Sequence, residues 1–330
     1  MIVDSIRDDQ LSPTEGSLRW IGARELRELA GITDAMPAID DAMRAHSLRQ
    51  SIAPQRWTMP LGPSARMGLM PGALPGKERF GVKILSLFDQ ATRGDLPSHQ
   101  GVMLLFDTQD GKPLCALDAA SLTALRTAAA TAVATRALAR PDAETLAIIG
   151  CGELAPLHLA AMDAILPLRR VFIWNRTRER AEAFADRHAG RFDSVVCDSA
   201  AAAIRDADVV CTLTAASEPI LHGRDFRPGQ HVNLVGSSTV DAREVDDELV
   251  ARSAYFVDCH RHALSQAAEL RGAIDRGMVD EHHILGEIGE VLLGRIPGRR
   301  HDRDITVYKS LGHVVQDLAV AQIIYGAGRR

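Results

Sequence analysis

The run Thr145-Leu146-Ala147-Ile148-Ile149 breaks into Gly150-Cys151-Gly152-Glu153-Leu154-Ala155 and then enters a helix-forming stretch. An apolar strand that turns on glycine into a helix opens a dinucleotide-binding βαβ unit, in which the helix N-terminus faces a pyrophosphate. Gly150 suits the tight turn and Gly152 lets the backbone approach phosphate. Ala155 stands where the third glycine of the pattern lets helix and strand pack, and Glu153 and Leu154 complete the loop. The pattern alone is short, but a second apolar strand, Val171-Phe172-Ile173-Trp174, follows at the spacing, roughly 20 residues, that a ribose-contacting residue requires.

The end of that second strand bears on which cofactor is bound. An NAD site places an Asp or Glu there for the ribose 2′-hydroxyl, whereas this strand ends in Asn175-Arg176-Thr177-Arg178. A guanidinium suits phosphate oxygens, so Arg176, with Asn175 and Thr177 as neutral donors, favours NADP(H). NAD(H) stays open as the alternative, since Arg176 is also a residue type common on solvated turns. Two further apolar segments, Asp208 to Thr214 and His231 to Ser238, end in small polar residues, with Thr214, Gly236 and Ser238 where strands would meet the cofactor. The alternation predicts an α/β fold with a doubly wound parallel sheet and its ligand at the strand C-termini.

With 330 residues, 46% of them hydrophobic and 25% charged, the chain has enough apolar material for two domains. A formal net charge of -5 argues against nucleic-acid binding. No apolar run approaches the roughly 20 residues of a membrane span, and early Asp4, Asp8 and Asp9 are unlike a secretory signal, so a cytoplasmic location is expected. The five cysteines are scattered without a Cys-x-x-Cys pair, and His282-His283 lacks helical ligand spacing; neither a disulfide framework nor a metal site is expected.

Residues Ala23 to Ser47 carry a helical apolar pattern that should be interrupted near Pro37. From Arg56 to Phe106 short β-like runs alternate with Gly and Pro, as in a sheet-forming substrate domain. Lys83 lies inside the apolar run Gly81-Val82-Lys83-Ile84-Leu85, which leaves two readings: an edge-strand lysine pointing outward, or a buried amine that needs a partner. Arg56, beside Trp57, carries the same ambiguity. Ala116 to Ala139 reads as an alanine-rich helix on which Arg126-Thr127 requires an anion, a carboxylate or a route to solvent. After Thr306-Val307-Tyr308-Lys309-Ser310-Leu311-Gly312, an apolar helix from Val314 to Tyr325 should pack back on the first domain.

Several of these stretches together resemble the ornithine cyclodeaminase and mu-crystallin family: Gly81-Val82-Lys83, Pro97-Ser98-His99-Gln100, Arg126-Thr127-Ala128-Ala129, the Gly150 turn, Trp174 to Thr177, Glu218 to Leu221, Val235-Gly236-Ser237-Ser238 and Lys309 to Gly312. The resemblance covers most of the chain from about Arg56 onward. It implies a Rossmann dinucleotide-binding domain inserted into an α+β substrate and dimerisation domain. The boundaries expected are 1–129 for the substrate domain, completed by 304–330, and 130–303 for the NADP-binding domain. It assigns Arg56 and Lys83 to substrate contact and Arg126 to a place near substrate and cofactor, while Ser98, His99 and Ser310 match positions that line the cofactor pocket. Cyclodeaminases carry an aspartate at the position of Ser238; serine there is similar to the ketimine-reductase branch. Leu154 and Gln266 also depart from residues the family places near its ligands. The implied activity is NADPH-dependent reduction of a cyclic ketimine carboxylate, Δ1-pyrroline-2-carboxylate or Δ1-piperideine-2-carboxylate, by a homodimer. The alternatives are an ornithine cyclodeaminase or alanine-type amino acid dehydrogenase, or a protein that keeps NADPH and binds a hormone-like or aromatic ligand.

Overall fold

The computed structural model describes residues 18–74, 76, 79–88, 100–240 and 242–329. Strands β1 (Arg19–Ile21), β2 (Trp57–Gly62), β3 (Ala65–Leu74), β4 (Arg79–Phe88), β5 (Gln100–Asp107) and β6 (Pro113–Asp118) form one sheet in the order β1-β6-β5-β4-β3-β2. Its pairs are antiparallel except β1 with β6. Strands β7 (Thr145–Ile149), β8 (Arg170–Trp174), β9 (Asp193–Val196), β10 (Val209–Thr212), β11 (His231–Leu234), β12 (Ser253–Val257), β13 (Ile284–Glu287) and β14 (Ile305–Lys309) form a second sheet in the order β13-β12-β14-β11-β10-β7-β8-β9. Every pair in it is parallel.

The helices, numbered along the chain, begin with α1 (Ala23–Leu29), α2 (Ile32–Ser47) and α3 (Ala119–Leu138). Then come α4 (Ala155–Asp163), α5 (Arg178–Arg187), α6 (Ala200–Ile204), α7 (Asp247–Arg252), α8 (His260–Gln266), α9 (Ala268–Asp275), α10 (Ile288–Leu292) and α11 (Val314–Ala327). The expected interruption near Pro37 is displaced. The break falls at Gly31, whose N–H is capped by Asp34 Oδ2 at 2.9 Å, and α2 runs through Pro37. Pro37 and Thr33 are both exposed, so the Thr33 carbonyl that loses its helix donor stays open to solvent.

Helix α3 explains how the two sheets become one body. Its alanines let it touch α2, α4 and strands of both sheets, and it is buried around nearly its whole circumference. Asp118 Oδ1 caps it by accepting from Ser121 N–H at 2.8 Å. The expected cut between 129 and 130 therefore falls inside a continuous helix. The expected return at residue 304 also comes too early: β14 is an internal strand between β11 and β12, and only α11 crosses back onto β3, β4 and β5. Along β7, Leu146 and Ile148 face the core shared with α3, while Ala147 and Ile149 face a second core beyond the sheet. Burial on both faces is what an apolar parallel strand without polar alternation requires. Among the described residues, no helix is long and apolar enough to cross a membrane.

Candidate active site

Strand β7 is where the order of the parallel sheet reverses, with β8 on one side and β10 on the other. In such sheets a ligand lies at the strand C-termini beside that reversal. Gly150 occupies the turn with φ +102°, and a Cβ there would stand 2.8 Å from Thr214 Cγ2 and 2.9 Å from Leu213 O. Gly152 is different: a Cβ would meet nothing within 4 Å, so its backbone faces open space at the entry to α4. A close turn followed by an open, exposed glycine at a helix start is a cradle that fits a pyrophosphate. Glu153 lies exposed beside Gly152, and Leu154 is the N-cap residue of α4.

The end of β8 divides its polar work among neighbours. Asn175 Oδ1 accepts from Cys151 N–H at 3.0 Å and its Nδ2 donates to Thr177 O at 2.9 Å, so Asn175 ties the glycine turn to the next loop. Arg178 is committed to Glu182 and Asp198. Arg176 is exposed and forms no hydrogen bond or ion pair with the described residues, and no carboxylate follows Trp174 at the strand end. Across the switch point a residue without a sequence signal organises the strand ends. Buried Glu244 accepts from Thr212 Oγ1 (2.7 Å), Thr214 N–H (2.7 Å), Thr214 Oγ1 (2.8 Å) and Gly236 N–H (2.9 Å). Burial pushes its pKa up, opposed by these donors and by Lys309. Gly236 must be glycine here, because a Cβ would lie 2.1 Å from Thr214 O.

The parallel sheet delivers a second group of residues to the same edge through the loop that leaves β14. Lys83 is on an internal strand, is 1% exposed, and donates from Nζ to Asp317 Oδ1 at 2.8 Å, which removes the outward edge-lysine reading. Arg126 meets the same carboxylate through Nε at 3.1 Å and reaches Gln316 Oε1 through Nη1 at 3.0 Å. Arg56 donates from Nη2 to Leu311 O (2.7 Å) and Gly312 O (3.2 Å) and leaves a buried Nε without a partner. Asp258 Oδ2 holds the opposite side of that loop by accepting the Leu311 and Gly312 N–H groups. Ser310 begins the loop, with its buried Oγ unpaired, as are Thr127 Oγ1, Gln316 Nε2 and Asp317 Oδ2. Buried polar atoms left unpaired in one place call for a polar occupant.

Electrostatics in this cluster follow from two cations sharing one carboxylate. Burial lowers the Lys83 pKa to about 8, with Asp317 raising it and Arg126 lowering it again. Burial works against the charge on Asp317, but Lys83 and Arg126 outweigh it and hold its pKa below the usual value. Asp258 moves the other way, pushed up to about 6 by burial against the pull of the Gly312 amide, Arg126 and Arg56. Burial and the neighbouring Arg126 likewise push the Arg56 pKa down. Lys309 is buried between Glu269 Oε1 at 2.9 Å and Ser237, so it anchors the segment after β11.

Of the expected site residues, Lys83, Arg56, Arg126 and Ser310 come together around the loop after β14. Gly150, Gly152, Glu153, Leu154, Asn175, Arg176 and Thr177 surround the glycine turn, and Thr214, Gly236 and half-buried Ser238 lie at the ends of β10 and β11. Ser98 and His99 lie outside the described residues. Gln266, at the end of α8, has an unpaired buried Oε1. Asp317, Asp258, Glu244 and Lys309 were not expected in these roles.

A parallel sheet whose glycine turn and buried cationic pocket share the edge of the strand C-termini fits a dinucleotide-dependent oxidoreductase, the class of the relatives named reductases. More narrowly, the chain belongs to the ornithine cyclodeaminase/mu-crystallin family, whose model matches residues 22–329. It is 38% identical over 259 residues to the ketimine reductase mu-crystallin of Mus musculus, covering 78% of this chain and 79% of that protein. The solved structure of Thermococcus litoralis Δ1-pyrroline-2-carboxylate reductase with NADH and L-proline superposes with a TM-score of 0.91 at 29% identity, covering 94% of this chain and 98% of that one. An archaeal alanine dehydrogenase dimer with bound NAD gives 0.88 at 27% identity, covering 94% and 96%.

Proposed function

We propose that the chain reduces a cyclic ketimine carboxylate, Δ1-pyrroline-2-carboxylate and/or Δ1-piperideine-2-carboxylate, to L-proline or L-pipecolate, with NADPH preferred. The observation that carries this reading is the buried Lys83–Asp317–Arg126 cluster beside Arg56, at the edge where the glycine turn opens. The relatives' ligands, NADH with L-proline in one and NAD in another, support a nicotinamide dinucleotide and a small amino or imino acid. When bound, the cofactor supplies the hydride that reduces the imine carbon.

The chain's own residues do the rest. Arg56, with an unpaired Nε, holds the substrate carboxylate, and a planar fork fixes the orientation of a small ring better than a point charge does. Lys83 carries a proton that burial has made easier to release, and gives it to the imine nitrogen. Asp317 keeps Lys83 and Arg126 in place. Ser238 offers no charge for activating an amine, which an ornithine cyclodeaminase would need. In a bound NADPH the ribose 2′-phosphate, which NADH lacks, would be held by exposed Arg176.

A panel of cyclic imines, pyruvate with ammonia, and ornithine, each followed with NADPH and NADH, tests the reading directly. Cyclic imine carboxylates should turn over and ornithine should release no ammonia. Ornithine conversion with no imine reduction would make the protein a cyclodeaminase, and binding without turnover would make it a ligand-binding protein. Arg176→Ala should weaken NADPH by about tenfold or more, because a charge-assisted bond is lost, and leave NADH nearly unchanged. Equal losses for both cofactors would remove the basis for the NADP(H) preference.

The assembly expected is a homodimer. Edge strand β2 exposes Trp57 and Leu61, each 52% accessible, and an exposed apolar edge of this kind is stabilised by a symmetric partner. Light scattering at micromolar concentration should give twice the chain mass; a monomer contradicts the expectation.

A further inference from the structure

The end of α2, the start of α8 and the end of β13 bring His46, Cys259 and Glu287 together. One ligand atom from each lies within 4.8 Å of the others, and all three side chains are buried. Each has a bonding capacity the protein does not fill. Glu287 accepts from Ser47 Oγ at 2.8 Å and from His260 N–H at 3.1 Å, yet forms no ion pair with a cationic side chain among the described residues. A carboxylate buried without a cation is costly. His46 pairs Nδ1 with Ser51 Oγ at 2.9 Å and leaves a buried Nε2 without a partner. The Cys259 thiol is buried and free.

Imidazole nitrogen, thiolate sulfur and carboxylate oxygen are the donors that zinc takes. The His46 ring is also prepared as a metal ligand: its second nitrogen is hydrogen-bonded, and the ring stacks on His313 at 4.4 Å between centroids and 25° between planes. Charge fits as well. On coordination Cys259 gives its thiol proton to solvent, and a divalent ion with one thiolate and one carboxylate carries no net charge, which offsets the burial of Glu287. The three residues line a cavity of about 370 Å³ with Arg49, Ser51 and Arg261, so solvent has access to a fourth position. Arg49 and Arg261 are exposed, so water screens their repulsion, and they favour an anion such as hydroxide as that fourth ligand.

We propose that His46, Cys259 and Glu287 form a site for one divalent transition-metal ion, zinc by its donor chemistry, beside the loop after β14. The ion ties the end of α2 to the segment holding Cys259. Its neighbour Asp258 grips the loop after β14, so metal occupancy stiffens the support of Arg56 without touching the reacting atoms.

The full-length protein, stripped with a chelator, is titrated with Zn2+ against a chromophoric competitor and separately loaded with Co2+. One ion per chain is expected, and cobalt should show tetrahedral d–d bands with a thiolate-to-cobalt charge-transfer band. Cys259→Ser should remove the charge-transfer band, and Cys259→Ser and Glu287→Gln should each weaken zinc by about tenfold or more. His282→Ala, at an exposed histidine away from the cluster, should change nothing. Absence of stoichiometric zinc binding overturns the proposal. So does a cobalt spectrum without a thiolate band, which is read on the unsubstituted protein and does not depend on any variant folding. Binding that survives both Cys259→Ser and Glu287→Gln unchanged marks an adventitious ion only.

Discussion

Asp317→Ala is expected to destabilise the protein by about 3–5 kcal/mol and to abolish imine reduction, because it strands two buried cations at once. The carboxylate accepts from Lys83 at 2.8 Å and from Arg126 at 3.1 Å, in a site where none of the three side chains is more than 8% exposed. Removing Lys83 instead leaves Asp317 with Arg126 as partner, so Lys83→Met should cost distinctly less. The comparison is made by urea unfolding of both single variants and the double variant. A double-variant loss near that of Asp317→Ala alone identifies a shared network, whereas simple additivity contradicts it. The pH dependence has a defined sign. Asp317 has a folded pKa below its usual value, so its contribution is present at neutral pH and disappears only as pH falls through that lowered value. Lys83 acts in the opposite sense: with a folded pKa of about 8 against 10.5, the unfolded chain holds more protons between these values and stability rises with pH across that window.

The glycine turn was legible because its whole signal is local: strand, turn and helix lie within one short stretch, and the next strand follows at a fixed distance. Lys83 was legible only as an anomaly. Whether a lysine in an apolar strand points outward depends on its neighbours, and the sequence does not say that β3 and β5 flank β4. Asp317 was the same anomaly in mirror image, an acid near the start of an apolar helix, and pairing it with Lys83 by charge was within reach of the sequence. Asp258, Glu244 and the trio of His46, Cys259 and Glu287 had no such sign, since their partners come from distant segments joined only by the fold. Pro37 does not break α2 because its position is exposed, which relaxes the local cost of proline in a helix. Residue 129 falls inside α3, which packs on both sheets, and residue 304 precedes β14, an interior strand of the parallel sheet; neither arrangement has a local sign in the sequence.

Lys83→Met should lower kcat/KM for cyclic imine reduction by about 10²-fold or more, the range expected when a general acid is lost. Methionine keeps the length and the apolar stem of the side chain, so the strand between β3 and β5 is preserved while the proton is removed. The pH profile separates proton transfer from mere positioning. A lysine with a pKa of about 8 is protonated at neutral pH, so reduction should fall as pH rises through that value. Oxidation of L-proline in the reverse direction needs the neutral amine to accept the proton, and should rise with pH through the same value. A structural lysine predicts no such reversal, because its charge would serve both directions alike. In Lys83→Met both limbs should vanish together. If the limb near pH 8 persists in the variant, it belongs to another group or to the imine itself, and Lys83 then acts by holding Asp317 rather than by moving a proton.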